Sequence, residues 1–422
     1  MEVVDRLPAQ PWMQETATRD VLAALTAEGD PARFVGGCVR DALLGRAVAD
    51  IDIATPAPPD RVLALLARAG IRALPTGIAH GTVTALADRR HFEITTLRHD
   101  VSTDGRRAVV AFTADWAADA ARRDFTINAL FCDAEGRVYD NVGGLADLEA
   151  RRVRFVGDAR TRIREDVLRL LRFFRFYAQL GAPPPDAAAL AAAGELAPLQ
   201  PLLSGERVRA ELLRLLASPE PAAVLRLMQA HAVLAHLLPP GLDLDRLAGL
   251  VAVEAQLPEH LAAADPLRRL AALLHDGAAA AALGDRLRLS NQERARLAAM
   301  VEAPPLDPAL DQRARRRLLY RLGTAPFADA VLLAWAAAGG AAAGWLGLLE
   351  LAATWPPPTL PVSGRDVAAC GVARGPQVGL LLRALESWWI DGDFAADRPA
   401  CLARLRELAA TAAGPPGVTQ SP

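Results

Sequence analysis

The sequence predicts an α+β protein in which an N-terminal part with a small β-sheet precedes a part that is all helical. Up to about residue 156, short β-rich runs alternate with amphipathic helical patterns, whereas beyond it helical patterns follow one another almost without interruption. Proline clusters at 304–305 and 356–358 punctuate the second part. The 422 residues are enough for about three domains of ~150 residues each.

In the first part, strand and helix patterns alternate along the chain. The runs "ARFVGG", "DIDIAT", "GTVTALAD" and "HFEITTLR" are typical of strands, and "CVRDALLG" and "PDRVLALLARAG" are typical of helices. We expect a turn at the arginine pair 89–90, a polar loop from Arg98 to Thr113, and a hairpin that turns at Glu135–Gly136. This alternation predicts an α/β domain.

In the second part, two segments call for a specific interpretation. The run "TRIREDVLRLLRFFRFYAQLG" (161–181) predicts one long helix that ends at Gly181. Residues 330–349 carry no charge over 20 positions, the length of a membrane span. Because Gly339–Gly340 interrupts this run, we predict a tightly packed helical hairpin instead.

Composition excludes several kinds of chemistry. All 47 basic residues are arginine, so the chain has no Walker A, Schiff-base or adenylated lysine. The four cysteines form no CxxC pair, which argues against a zinc ribbon or a redox motif. The N-terminus lacks the basic and apolar regions of a signal peptide, so we expect a cytoplasmic protein.

Charge is nearly balanced overall, at −2, but locally it is not. Residues 151–175 contain nine arginines and three acidic residues. Such a cluster is typical of a surface that binds phosphate groups, and a solvated helix face is the structural alternative.

Asp50 and Asp52 alternate with isoleucines in a run that predicts a buried strand. Residues i and i+2 of a strand share a face and lie ~6.6 Å apart, so the two carboxylates project together. Their mutual repulsion and the cost of burial require a compensating positive charge. Mg²⁺ is commonly held by one or two carboxylates together with substrate phosphates. The alternative is that both aspartates cap turns or pair with arginines.

Upstream of these aspartates, Gly36–Gly37 ends a predicted strand and opens a predicted helix. Without Cβ atoms this backbone can approach a ligand closely, and a helix N-terminus favours phosphate. Arg40, on the same helix, has a guanidinium group that can take a phosphate. Together these residues predict a site for a nucleoside triphosphate with Mg²⁺.

Four segments resemble, in order, the motifs of one enzyme superfamily. They are "GGCVRDALLGR…DIDIAT" (36–55), "RRDFTINAL" (122–130), "GDARTRIREDVLRLLRFFRF" (157–176) and "SGERVRAELLRLL" (204–216). They resemble nucleotidyltransferases of the branch that contains bacterial CCA-adding tRNA nucleotidyltransferases and poly(A) polymerases. The resemblance implies a nucleotidyltransferase head (1–156), a neck that recognises the nucleotide base (157–220), a body (221–325) and a tRNA-binding tail (326–422), the last three all helical.

The resemblance also implies the reaction, which extends an RNA 3′ end without a nucleic-acid template, using CTP and ATP and releasing pyrophosphate. Asp50 and Asp52 become the catalytic carboxylates and the ligands of two Mg²⁺ ions. Glu93, on the neighbouring predicted strand, is a candidate third catalytic carboxylate. Its structural alternative is an ion pair with Arg90 or Arg98.

The second motif supplies further candidate nucleotide-binding residues. Arg122 and Arg123 are expected to hold triphosphate oxygens. Asp124 can accept a hydrogen bond from a ribose 2′-hydroxyl, and Asn128, four residues later, can join that contact if the segment is helical. An ion pair among Arg123, Asp124 and their neighbours is the structural alternative.

The third motif supplies candidates for base recognition. Asp166 and Arg169 are spaced i and i+3, which makes them neighbours on one helix face. Cytosine and adenine both present an amino donor beside a ring acceptor, so one carboxylate and one guanidinium can read both bases. Glu165 belongs to the same motif, and Arg160 is expected near the triphosphate or the RNA backbone. An ordinary Asp166–Arg169 salt bridge is the alternative.

Several other functions share these residues. A poly(A) polymerase, or an enzyme that adds only CC or only A, has the same catalytic groups. A non-catalytic RNA-binding relative and a phosphohydrolase at His275–Asp276 are the remaining alternatives. The expected partners are the 3′ end and upper half of tRNA, CTP and ATP; no membrane and no stable protein partner is implied.

Overall fold

The computed structural model describes residues 2–103, 108–340 and 342–413 of the chain. The chain forms two compact units, one comprising Met1–Leu244 and Ala282–Leu289 and the other Asp245–Ala281 and Ser290–Pro422. The division into four parts at residues 156, 220 and 325 stays a prediction.

The first unit contains a mixed eight-stranded β-sheet and a separate two-stranded sheet. The strands are β1 (Val3–Arg6), β2 (Arg33–Val35), β3 (Ile51–Thr55), β4 (Arg72–Gly77), β5 (Thr82–Ala87), β6 (Arg90–Thr96), β7 (Arg98–Thr103), β8 (Ala108–Phe112), β9 (Phe131–Cys132) and β10 (Arg137–Tyr139). The large sheet has the order β1-β10-β9-β2-β3-β6-β5-β4, in which only β3 and β6 pair in parallel.

Period-2 alternation sets the orientation of the central strand β3. Ile51 and Ile53 are 2% and 0% exposed, as the sequence predicts, while Asp52 between them points to the other face. In the register of β3 with β6, Asp52 lies opposite Glu93. This pairing places two carboxylates side by side at the centre of the sheet.

Helices complete the first unit and continue beyond it. Up to residue 244 they are α1 (Pro11–Gln14), α2 (Thr16–Thr26), α3 (Gly37–Leu43), α4 (Pro59–Arg68), α5 (Trp116–Ala121), α6 (Gly144–Glu149), α7 (Ala159–Glu165), α8 (Leu168–Leu180), α9 (Ala187–Leu196), α10 (Gly205–Leu216) and α11 (Pro221–Ala230). The predicted helices α3 and α4 are present, and α4 packs against β4 and β5. The strand β1 and the helices α1 and α2 were not predicted.

The segment expected to be a polar loop, Arg98–Thr113, is a β-hairpin instead. β7 and β8 pair in antiparallel orientation, with Arg98 opposite Phe112. The runs "HDVST" and "AVVAF" have β-branched or aromatic residues at five of their ten positions, which favour strands, and this outweighs the polar composition that suggested a loop. Residues 104–107 of this segment lie outside the described residues.

The expected long helix over 161–181 is also wrong, because it is divided into α7 and α8. Asp166 and Val167 separate the two, and Asp166 has an extended backbone with φ −152° and ψ 106°. Its side chain accepts a hydrogen bond from the Leu168 N–H at 3.1 Å, the local bonding through which aspartate competes with helix formation.

A cluster of aromatic rings packs α8 against the head. Phe125 lies 4.6 Å from Phe155 and 5.3 Å from Phe176, measured between ring centroids. These phenylalanines are buried, as is Phe173 on α8. The contact brings the polar face of α8 next to the segment that follows α5.

The chain after residue 244 is helical throughout its described part. The helices are α12 (Leu244–Gln256), α13 (Pro266–Ala272), α14 (Gly277–Arg286), α15 (Asn291–Val301), α16 (Gln312–Leu322), α17 (Thr324–Ala338), α18 (Ala342–Thr354), α19 (Gly364–Ala369), α20 (Pro376–Asp391) and α21 (Arg398–Ala413). The hairpin predicted for 330–349 is confirmed, since α17 and α18 pack together on either side of Gly339–Gly340. In the part of the chain that the structure describes, no helix is long and apolar enough to cross a membrane.

Candidate active site

Three carboxylates converge at the centre of the large sheet. Asp50 is exposed and immediately precedes β3, Asp52 is half-buried on β3, and Glu93 is its partner on β6. Burial and the neighbouring Glu93 raise the pKa of Asp52 to about 6, with Asp50 adding to the effect and Arg123 opposing it. The site therefore has an excess of negative charge.

The alternative partners of these carboxylates are engaged elsewhere. Arg90 forms an ion pair with Glu15, with Nη2 at 2.6 Å from Oε1, and Arg98 donates to the carbonyl oxygen of His80. Among the described residues, none pairs with Asp50, Asp52 or Glu93, so the arginine pairing that competed with metal binding is not formed.

Uncompensated oxygen ligands of this kind fit a divalent cation. No group of three or more His, Cys, Asp and Glu side chains within the described residues already has the geometry of a metal site. A divalent cation held by one or two carboxylates takes its remaining ligands from water and from substrate phosphates.

The turn at Gly36 lies beside this acidic group. Gly36 has φ +75°, a conformation that glycine adopts without strain, and its N–H donates to the Leu130 carbonyl at 3.1 Å. A Cβ atom at this position would lie 3.7 Å from Nη1 of Arg123. Gly37 is the first residue of α3, as predicted. The glycine turn and the Arg123 guanidinium therefore face one another.

Arg40 does not stand free for a phosphate. Its Nε and Nη2 donate to the two carboxylate oxygens of Asp41 at 2.9 and 2.8 Å, and its Nη1 donates to Oδ1 of Asn128 at 2.6 Å. In this structure Arg40 orients Asn128. A role for Arg40 in phosphate binding stays a prediction.

Asp124 and Asn128 lie together, as their spacing predicts. Nδ2 of Asn128 donates to Oδ1 of Asp124 at 3.1 Å, and Nε of Arg172 donates to Oδ2 at 2.7 Å. Burial by itself would raise the pKa of Asp124, but Arg172 and Asn128 hold it below its ordinary value. Asp124 is therefore an ionised acceptor. Arg123 and Asp124 do not pair with each other, but each forms an ion pair with another residue, as the structural alternative expects.

Arg123 and Arg122 instead share an acid that sequence analysis did not single out. Asp119, on α5, is 1% exposed and bonds both guanidinium groups. The signal for it was present, because an aspartate three and four residues before two arginines suits ion pairs along a helix.

The expected pairing of Asp166 with Arg169 on one helix face is wrong. Asp166 lies at the break between α7 and α8, and its Oδ2 accepts from Nη2 of Arg207 on α10 at 2.8 Å. Nη1 of Arg169 lies 2.5 Å from Oε2 of Glu165, which Nη1 of Arg162 also contacts at 2.9 Å. The ordinary Asp166–Arg169 salt bridge is thus absent, and each residue is oriented by a different neighbour.

Other arginines of the 151–175 cluster have structural partners. Arg160 and Arg164 both pair with Glu195, at 2.5 and 3.3 Å, on an exposed surface. Glu211 of α10 binds Arg175 at 2.5 Å and lies 3.7 Å from Arg172. The sequence did not identify Arg207 and Glu211 as residues that orient the site, because no charge pattern in their motif shows which residues of α7 and α8 they contact.

His275–Asp276 lacks the geometry of a phosphohydrolase. Both side chains are exposed, and Oδ1 of Asp276 accepts from the Ala279 N–H at 2.8 Å near the start of α14. Across the described ranges, no cluster of metal-ligating side chains includes them.

Comparisons with known proteins bear on the whole chain. The family described as "Poly A polymerase head domain" matches residues 32–154, and that described as "Probable RNA and SrmB- binding site of polymerase A" matches residues 186–244. The mitochondrial CCA tRNA nucleotidyltransferase 1 of Mus musculus is 34% identical over 393 residues, covering 90% of this chain and 87% of that protein. The chain belongs to the family of CCA-adding tRNA nucleotidyltransferases and poly(A) polymerases.

Two further members of this family extend the likeness. The CCA-adding enzyme of Levilactobacillus brevis is 43% identical over 207 residues, which covers 48% of this chain and 50% of that enzyme. The crystal structure of the Bacillus stearothermophilus CCA-adding enzyme in complex with CTP superposes with a TM-score of 0.77 at 30% identity. The superposition covers 96% of this chain and 99% of the Bacillus stearothermophilus chain. This confirms the predicted nucleotidyltransferase head followed by a helical remainder.

Proposed function

We propose that this protein adds C, C and A in turn to the 3′ end of tRNA, using CTP and ATP and releasing pyrophosphate. The observation that carries the proposal is the junction of head and neck. Nε of Arg172 of α8 donates to Asp124, the residue that follows Arg123, and Nη1 of Arg162 of α7 donates to the Arg122 carbonyl at 3.3 Å. These bonds connect α7 and α8, which we propose to recognise the base, to the segment at Arg122–Asp124, which we propose to bind the nucleotide.

The reaction requires attack by the RNA 3′-oxygen on the α-phosphorus. The 3′-hydroxyl releases its proton to water and forms a new oxygen–phosphorus bond, the bond between the α-phosphorus and its bridging oxygen breaks, and pyrophosphate leaves with the electron pair. Asp50 and Asp52 would hold divalent ions, which we propose to be Mg²⁺, with Glu93 as the candidate third carboxylate beside Asp52. When bound, such ions favour the ionised attacking oxygen and stabilise the charge that develops on the leaving group.

The residues around the acidic group bind and orient the nucleotide. Arg123, facing the turn at Gly36, contacts triphosphate oxygens. Asp124 accepts four bonds, from Nε and Nη2 of Arg172, from Asn128 and from the Phe125 N–H, and a ribose 2′-hydroxyl would take the place of one of these donors. A deoxyribonucleotide offers no such donor, which favours ribonucleotides.

Asp166 and Arg169 select the base. Asp166 accepts from the amino group that cytosine and adenine share, and Arg169 donates to the adjacent ring nitrogen. Guanine and uracil present the opposite arrangement at that edge. Arg207 orients Asp166 and Glu165 orients Arg169, so the two groups need not be on one helix face to act together.

A poly(A) polymerase is the second candidate, because the matched family descriptions for the head and for residues 186–244 refer to that enzyme. The relatives that cover most of the chain favour CCA addition. A cytoplasmic location and the absence of a stable protein partner stay predictions, and the mouse relative is a mitochondrial enzyme.

The first prediction concerns the product. Full-length protein, given a tRNA transcript that lacks its last three nucleotides, is expected to use CTP before ATP and to stop after three additions. Gel analysis of products made with CTP alone, ATP alone and both together checks this. Long adenosine tails formed with ATP alone would instead support a poly(A) polymerase.

The second prediction concerns the RNA. On the basic helix α16, Arg316 and Arg317 pair with Asp393 and Asp391, whereas the exposed Arg313 and Arg321 form no ion pair with a described residue. If Arg313 and Arg321 contact tRNA phosphates, replacing both by alanine should weaken tRNA binding, reduce its salt dependence by up to about two counterions and leave the KM for CTP unchanged.

Filter binding at several salt concentrations measures this effect. Arg6→Ala, on the outer strand β1, serves as the matched control for loss of an exposed arginine. A double variant with the salt dependence of the unmodified protein would place tRNA elsewhere.

A further inference from the structure

The buried carboxylate of Asp119 bonds both Arg122 and Arg123, the two arginines of the proposed triphosphate site. Its Oδ1 accepts from Nε and Nη2 of Arg122 at 2.8 and 2.6 Å, and its Oδ2 accepts from Nε and Nη2 of Arg123 at 3.1 and 2.8 Å. One carboxylate oxygen thus serves each guanidinium group. Because Asp119 is 1% exposed, it cannot be reached by solvent or by a nucleotide as readily as the arginines, whose side chains are 15% and 17% exposed.

The bonds to Asp119 determine which part of Arg123 is available. With Nε and Nη2 engaged, Nη1 is the nitrogen that faces Gly36, 3.7 Å from where a Cβ atom of that residue would lie. The guanidinium also lies over the Phe131 ring, with its central carbon 5.3 Å from the ring centroid. Because the Asp119 carboxylate engages Nε and Nη2 of Arg123 and the Phe131 ring lies against its guanidinium group, Nη1 is the nitrogen left to donate to a nucleotide.

Asp119 also reaches the hairpin formed by β7 and β8. Its Oδ1 accepts from the backbone N–H of Arg98, the first residue of β7, at 3.3 Å. The base of that hairpin is closed by a bond from the Thr113 N–H to the Leu97 carbonyl at 2.9 Å. The same carboxylate therefore ties the hairpin base to the two arginines.

We propose that Asp119 is a positioning residue that holds Arg122 and Arg123 ready for the triphosphate. The inference rests on the proposed function. Fixing an arginine side chain costs conformational entropy. If Asp119 fixes both arginines before the nucleotide binds, that entropy cost does not reduce the affinity for the nucleotide. Without the shared carboxylate, the two neighbouring positive charges also repel each other.

Asp119→Asn tests this with little change of shape. Its amide oxygen can still serve Arg98 and one guanidinium, but its NH₂ group would face the other guanidinium, donor against donor. We expect the dissociation constant for inorganic triphosphate to rise about tenfold, since one or two long side chains must then be ordered on binding. The dissociation constant for tRNA should stay within about twofold, because phosphate contacts elsewhere carry that affinity.

Calorimetric titration of the full chain with inorganic triphosphate supplies the first value, and filter binding supplies the second. Asp115→Asn is the matched control, since Asp115 caps the same helix, α5, through the Ala117 N–H and contacts neither arginine in the described residues. In an Arg123→Ala background, Asp119→Asn should have a much smaller further effect, because residues that act as a unit are not additive.

Unchanged or tighter triphosphate binding by Asp119→Asn would overturn the proposal, as would equal losses of triphosphate and tRNA affinity, which indicate a general structural defect. Should Asp119→Asn fail to fold, Arg123→Lys decides the matter. Lysine keeps the positive charge but lacks the planar guanidinium group that Asp119 binds through two nitrogens. The affinity of Arg123→Lys for triphosphate should therefore fall to that of Arg123→Ala. Full affinity of Arg123→Lys would contradict the role of Asp119. Failure of the unmodified protein to extend tRNA would reject the proposed function and leave the triphosphate titration interpretable.

Discussion

Replacing Asp52 with asparagine is expected to lower the incorporation of both CTP and ATP about a thousandfold. A metal ion at a phosphoryl group supplies several kcal/mol of transition-state stabilisation, and ~4 kcal/mol corresponds to three decades of rate. Asp50→Asn should have an effect of the same order. Both nucleotides should suffer equally, because the acidic group acts on the α-phosphorus and not on the base.

The fold should tolerate Asp52→Asn. Burial and the neighbouring Glu93 already raise the pKa of Asp52 to about 6, which means that the folded state disfavours the ionised carboxylate. A neutral amide of the same shape relieves that repulsion, so thermal unfolding should not begin earlier and tRNA binding should persist. Asp60→Asn, at an exposed first-turn position of α4, is the matched control. Turnover by Asp52→Asn near that of the control would reject this site as the catalytic centre.

Altering the base-reading pair is expected to change which nucleotide is added. Asp166→Ala removes the acceptor for the amino group, and Arg169→Ala removes the donor to the ring nitrogen. A truncated site loses discrimination that depended on pairing its buried polar groups. Incorporation of UTP or GTP relative to CTP and ATP should therefore rise by about one to two decades, for ~1.4–2.8 kcal/mol of lost discrimination.

Single-nucleotide incorporation with each of the four triphosphates measures this change. Arg214→Ala, an exposed position on α10, controls for the loss of an arginine from the same region. Losses of all four activities in the same proportion would mean that Asp166 and Arg169 have a structural role, and that the protein selects the base elsewhere.

Local patterns predicted the strands and helices that build the acidic group. Ile51 and Ile53 are buried on one face of β3 because a strand alternates, and the same rule sends Asp52 to the other face. The sequence also indicates that Gly36–Gly37 ends a strand and opens a helix, and α3 begins at Gly37. These features depend on near neighbours in the chain, and for that reason they can be read from it.

Features that depend on distant residues were not predictable in this way. The break at Asp166 is accompanied by a bond to Arg207, which lies 41 positions away, and the position of Arg172 follows from a ring cluster that joins α8 to Phe125. The hairpin of β7 and β8 forms despite the polar composition of its segment, because its β-branched residues favour strands. Asp119 was missed although its spacing to Arg122 and Arg123 is visible, because Asp115 and Asp124 are also near these arginines in the chain and the fold decides which acid pairs with them.

The most direct test of the account is to determine the sequence of the 3′ ends that the protein produces. A tRNA transcript lacking its last three nucleotides is incubated with all four triphosphates and either the unmodified protein or Asp52→Asn, and the product ends are sequenced. The account predicts that the unmodified protein yields ends extended by CCA and no further, and that Asp52→Asn yields unextended ends. Runs of adenosine, ends that stop at CC, or extension by Asp52→Asn at the rate of the unmodified protein would contradict it.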